Sequence, residues 1–333
     1  MSIPGFRIRF CRLFVPATLA AAMFAGSAAD ARAQDAPGAP ALPGTWTLVS
    51  VEDVGPTGEA VRVPNPRGLL VLDGAGLVFE AVVRGDRTRP TEDTKALTEA
   101  QRVFAIYGGF WGRYKVDASG KTITSHAEGA LSPNVMGKDV TRTFTLNGDR
   151  LTINSSGVEA HQRAATRWVW ERVPPVENLS PSYRKVIGFW QHVVEKRVNL
   201  TLKTDVTTTS RAPSLIVYTP SGYVGVYFPP MWAAKPFAAA DPTDQEAREV
   251  LRGFVGYFGA LTVYPGQVFH HILGGVSPQG PTTLKRFFDL APSGDEVNLR
   301  FPVTRNQQGE EMTTLVTMKR LSGERDMMAG ATR

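Results

Sequence analysis

Runs of apolar or alternating apolar and polar residues, separated by short turns, fill most of this chain. Residues 46–51 open the series, and 69–72 and 77–83 follow on either side of Asp73-Gly74-Ala75-Gly76. Paired runs about a glycine-containing turn predict β-hairpins. Residues 112–116, 122–127, 141–146, 150–153 and 166–173 continue in that style, with Asn147-Gly148-Asp149 as a turn in which glycine takes positive φ. The pattern breaks at Thr98-Glu99-Ala100-Gln101, which fits a capping box. There the threonine accepts from an early backbone N–H and the glutamine reaches back, so a helix starts.

The same order then returns about 144 to 148 positions later. Gly44-Thr45-Trp46 reappears as Gly188-Phe189-Trp190, and Gly68-Leu69-Leu70 as Ser214-Leu215-Ile216. Tyr107-Gly108-Gly109-Phe110-Trp111-Gly112 matches Phe254-Val255-Gly256-Tyr257-Phe258-Gly259, His126 matches His271, and Arg142 matches Arg286. A second capping box, Thr243 to Glu246, falls at the corresponding place. So many blocks in one order mark a tandem duplication. About eight short strands per copy, with many Gly and Pro turns, predict an all-β chain of two tandem antiparallel barrels, each with one short helix. The expected domains are 42–173 and 186–321. Between them, residues 174–185 carry Pro174, Pro175 and Pro181 and read as a semi-stiff spacer, and 322–333 read as a flexible tail.

Each copy resembles a lipocalin-like domain, most of all the bacterial branch that begins with a Gly-Thr-Trp-X-Leu-Val-Ser block. Copy one carries Gly44 to Ser50, Gly68-Leu69-Leu70, Tyr107-Gly108-Gly109, His126, Leu131-Ser132-Pro133-Asn134, Gly137, Arg142 and Trp170-Glu171-Arg172. Copy two is looser, keeping Trp190, His270-His271, Ser277-Pro278, Arg286 and Arg320 but placing Met318-Lys319 where Trp170-Glu171 stand. The resemblance implies a closed barrel with an interior used for a small apolar molecule. It also implies that Trp46 with Arg172, and Trp190 with Arg320, close one end of each barrel as structural cation–π pairs.

The N-terminus changes the picture of where the chain works. Arg7, Arg9 and Arg12 precede an alanine-rich apolar stretch, and Ala31-Arg32-Ala33 supplies a cleavage pattern, so residues 1–33 read as a signal peptide. The apolar stretch is too short for a membrane span. Residues 34–41 read as a disordered leader. The product is expected to be exported, periplasmic or secreted, with no stable membrane anchor. The single cysteine, Cys11, leaves with the signal, and the mature chain then has neither disulfide nor thiolate chemistry. Losing Arg7, Arg9, Arg12, Arg32 and Asp30 lowers the net charge from +6 to +3. No basic block remains to suggest nucleic acid.

Candidate chemistry is sparse. His126 and His271 are the acid–base candidates by intrinsic pKa. Adjacent His270 and His271 point to opposite faces of a strand, so they cannot share one metal, and no metal site or cofactor is expected. Arg142 and Arg286 are candidates for holding a carboxylate. Tyr107, Trp111, Tyr223 and Tyr257 are candidates for an aromatic lining. There is no Gly-X-Ser-X-Gly elbow, P-loop, His-Glu-X-X-His or dinucleotide fingerprint. The leading expectation is a non-catalytic binder of a small hydrophobic or amphipathic molecule. One rival is a barrel-cavity cyclase, isomerase or hydrolase using His126 or His271. Another is a structural module in which copy two is a degenerate packing partner.

Overall fold

The structure is a computed structural model that describes residues 42–55, 57–85, 95–155, 165–209, 214–229, 235–277 and 282–329. The expected signal, the leader and the last four residues lie outside these. Copy one comprises β1 (Gly44–Val54), β2 (Ala60–Arg62), β3 (Arg67–Leu72), β4 (Leu77–Val83), α1 (Glu99–Ile106), β5 (Tyr107–Val116), β6 (Thr122–Ala130), β7 (Asp139–Asn147), β8 (Arg150–Ser155) and β9 (Ala165–Val173). Next comes α2 (Pro181–Val186). Copy two comprises β10 (Gly188–Asn199), β11 (Thr204–Thr209), β12 (Leu215–Tyr218), β13 (Tyr223–Phe228), α3 (Asp244–Leu251), β14 (Val255–Tyr264), β15 (Gln267–Gly275), β16 (Thr283–Leu290), β17 (Glu296–Arg300), β18 (Thr304–Arg305) and β19 (Glu311–Ser322). A final turn of helix, α4 (Glu324–Met327), follows.

Each copy is a closed antiparallel barrel. In the first, β1, β3 to β9 pair in sequence and β1 pairs with β9 to shut the ring, while β2 is a short flap on β1. In the second, β10 pairs with β19 to close the ring, and β11 and β18 are the accessory strands. Closure removes the unpaired strand edges that an open sheet would expose. The helices begin where the sequence places them: Thr98 and Thr243 each complete a capping box with Gln101 and Glu246. Gly148 turns the β7–β8 hairpin at a φ of +58°.

Strand parity decides what fills each barrel. Trp46, Leu70, Val78, Phe110, Ile123, Phe144, Leu151 and Trp168 form the interior cluster of the first. Parity would slip without a bulge between Trp111 and Gly112, repeated between Phe258 and Gly259. A side chain at either glycine would run into a backbone carbonyl, of His126 or of His271.

The opposite face of β3, β4 and β5 is also buried, because copy two covers it. Leu69, Val71, Phe79, Tyr107 and Trp111 join one core with Tyr227, Phe254 and Phe258. Phe79 lies over Gly225, and Tyr107 meets Phe254 edge-on at 6.4 Å. Phe104 of α1 packs edge-on against Phe237 at 5.4 Å. Polar ties cross the same seam: Asn134 accepts from the Phe237 N–H at 2.7 Å and donates to the Ala239 carbonyl, and Gln101 donates to the Pro242 carbonyl at 3.1 Å. The Thr98 hydroxyl donates to Asp244 at the start of α3.

This seam alters the reading of the connecting segments. Residues 174–185 do not hold the copies apart: the Val176 N–H donates to the Pro220 carbonyl, and Tyr183 and Val186 on α2 are buried in the shared core. Residues from 322 onward do not fray at once. The α4 turn buries Met327, and its Asp326 carbonyl accepts from the Gly74 N–H at the β3–β4 turn of copy one. Both segments carry apolar side chains that find a partner on a hairpin turn, which their local composition did not reveal.

Candidate functional site

At one end of each barrel the Gly-X-Trp motif forms a plug. The Arg172 guanidinium carbon sits 4.1 Å from the Trp46 ring centre, and Arg320 sits 4.0 Å from Trp190. The indole N–H groups donate to the Leu42 and Val186 carbonyls at 3.2 and 2.7 Å. The arginines donate in turn to the Pro43 and Ile187 carbonyls, so each plug is tied to the chain that enters it. Burial lowers the pKa of both arginines from the usual guanidinium value.

Away from the plugs the two interiors differ. In the first barrel, Arg142 on β7 reaches Glu80 on β4 at 2.6 Å, and both side chains are 8% exposed. The guanidinium also lies 4.7 Å from the Trp168 ring centre and 5.6 Å from that of Phe110. A buried charge needs such company, because desolvating it alone costs several kcal/mol.

In the second barrel, His270 on β15 lies between two tyrosines. The Tyr257 hydroxyl is 2.8 Å from Nδ1 and the Tyr218 hydroxyl 3.2 Å from Nε2. Burial, with Arg286 and His271 adding repulsion, lowers the His270 pKa to about 3, so the ring is neutral at pH 7. Burial also pushes the Tyr257 hydroxyl up to about 12 and the Tyr218 hydroxyl higher still. Arg286 on β16 faces the same interior, 3.8 Å from the Phe301 ring centre, and donates to the Lys285 carbonyl at 2.7 Å.

The residues singled out from sequence fall into three places. Arg142, Tyr257 and Arg286 face barrel interiors. Tyr107 and Trp111 face the seam between the copies, as does the strand face that carries Tyr223, because β4, β5 and β13 are buried on both sides. His126 and His271 are on outer faces, where His126 pairs with Asp139 at 2.8 Å and His271 sits between Thr262 and Thr283 at 3.0 Å each. Of the histidine pair on β15 the buried one is His270, which occupies the place of Ser125 in copy one. Glu80 is a further interior residue, and the lone carboxylate in the run Leu77-Val78-Phe79-Glu80-Ala81-Val82-Val83 is the signal that marks it in the sequence. Among the described residues no three His, Cys, Asp or Glu side chains gather as a metal site.

Two closed antiparallel barrels, each plugged by a tryptophan under an arginine, define a tandem lipocalin-like fold. Residues 43–173 match the lipocalin-like domain family, and the second barrel repeats the architecture of the first. A search of curated sequences returned no match. Among solved structures, the chain is similar to a protein of unknown function from the DUF3598 family of Nostoc punctiforme, at 10% identity over 84% of this chain and 97% of that one, with a TM-score of 0.22. It is also similar to a tryptophan-to-alanine mutant of the vaccine antigen transferrin binding protein B from Haemophilus parasuis, at 7% identity over 83% and 75%, with a TM-score of 0.20. At such scores neither likeness bears on structure or function.

Proposed function

We propose that this protein is an exported carrier that holds a small hydrophobic or amphipathic molecule inside a barrel without transforming it. The observation that carries the reading is the lipocalin-like barrel with its buried aromatic interior. Such an interior, with a few fixed polar groups, suits an apolar guest. The one imidazole bonded between two tyrosines is neutral and engaged at both nitrogens, which disfavours a proton-transfer role there. Export rests on the basic, then apolar, N-terminal segment with its cleavage pattern.

Native mass spectrometry of the full-length product from an exporting bacterial host tests both parts. The expected species begins at Gln34 and carries a lipophile that gentle activation releases. A guest-free chain that also fails to take up added lipophiles would overturn the binding reading, and an uncleaved N-terminus would overturn export. The shared core between the copies favours one further reading, that copy two also serves as a packing partner for copy one.

A further inference from the structure

The two interiors are built from equivalent positions that carry different residues. Leu72, Glu80, Phe110 and Ser125 in the first barrel stand where Tyr218, Val226, Tyr257 and His270 stand in the second, by the register of the matching strands. The arginine is kept, as Arg142 and Arg286, paired across to Ile123 and Val268. Copy one therefore meets its arginine with a carboxylate. Copy two has valine at the place of that carboxylate and keeps the cation.

Around Arg286, donors now outnumber acceptors. A guanidinium has five N–H donors. Among the described residues, Arg286 makes its hydrogen bond to the Lys285 carbonyl and forms no ion pair with an Asp or Glu. A neutral imidazole is a donor at one nitrogen and an acceptor at the other. One tyrosine therefore donates to His270, while the other accepts from it and keeps its own O–H for a further acceptor. Arg286 stands opposite Val268, two residues along β15 from the His270 that holds both tyrosines. The complement of this set is a planar group of two acceptor oxygens and one negative charge.

We propose that the second barrel binds the carboxylate head of an amphipathic ligand on Arg286 beside the Tyr218–His270–Tyr257 cluster. The apolar remainder of the ligand lies against interior residues such as Val224, Val226 and Val268. The first barrel, whose arginine is already neutralised by Glu80, takes no part in recognising the head. This inference rests on the ligand-binding reading above and narrows it to one barrel and one chemical class.

Isothermal titration of the full chain with dodecanoate and with methyl dodecanoate tests it. The acid is expected to bind at least about tenfold more tightly than the ester, the scale of one charge-assisted hydrogen bond. Arg286→Met should bring the acid down to the affinity of the ester and leave the ester unchanged. Val226→Glu, which installs the carboxylate of the first barrel, should have the same effect with the cation still present; thermal melts check that both variants are folded. Equal binding of acid and ester by the unsubstituted protein, or an acid preference that survives both variants, would overturn the inference and leave the barrel reading intact. If neither compound binds, both fall together.

Discussion

The clearest contrast at the residue scale is between two arginines that a sequence alignment treats as one. Arg142 is half of a buried ion pair, and removing it takes away the cation that sits 2.6 Å from the Glu80 carboxylate. Arg286 has no such dependent. Arg142→Met is therefore expected to cost about 3–5 kcal/mol in urea unfolding, as breaking one side of a buried pair does. Arg286→Met, in the ligand-free protein, should leave stability unchanged or raise it. Equal losses from the two substitutions would show that the pairing with Glu80 is not what distinguishes them. The arginines were legible as candidates because each stands among apolar residues of a strand. Their different states were not, since the partner that decides them lies 62 residues away in sequence.

Among elements, the β3–β4 turn buries a carboxylate and receives the α4 turn on its Gly74 N–H. Asp73 is fully buried there, and its Oδ1 accepts from the Ala75 and Leu77 N–H groups at 3.0 and 2.7 Å. Burial nevertheless raises its pKa from 3.8 to about 6, against those hydrogen bonds and with Asp326 of α4 adding repulsion. Between those two values the folded state retains a proton that the unfolded chain has released. Stability contributed by Asp73 is then present at low pH and falls as pH rises through that window. Asp73→Asn removes the titration, so its urea midpoint relative to the unsubstituted protein should improve from pH 4 to pH 7. Parallel pH profiles for the two proteins would refute the assignment.

Elements were also where the sequence was most readable. Hairpin turns, capping boxes and glycines at bulges each answer to local chemistry, and each recurs in copy two. Faces were harder to read. The burial of β4 on both sides gives a continuous apolar run, in which hydrophobicity cannot tell barrel interior from seam. Tyr107 and Trp111 were thus legible as buried aromatics but not as seam residues. The histidine block aligned correctly at His126 and His271, and the imidazole that matters inside the barrel is its unaligned neighbour, His270.

For the whole molecule, the seam packs the two copies into the single compact unit that their contacts define, and the two are expected to unfold together. Phe79 is fully buried against Gly225, and Phe79→Ala opens a cavity between the barrels. A loss of about 3–5 kcal/mol is expected for such a truncation. The unsubstituted chain should melt in one calorimetric transition, and the variant should shift all of it downward. Two separate transitions, only one of them moved, would show that the barrels fold independently and that the packing-partner reading is wrong.

The seam also has a consequence in time. Chains are made from the N-terminus, at about 5–20 residues per second. The apolar outer face of β3, β4 and β5 exists as soon as copy one is complete, but its cover arrives with β13 and β14, and the α4 turn reaches Gly74 last of all. During that interval, on the order of ten seconds, the emerging polypeptide presents a sticky surface to whatever surrounds it. A chaperone that shields the first half until the second has appeared would be doing for the nascent chain what copy two does for the finished one.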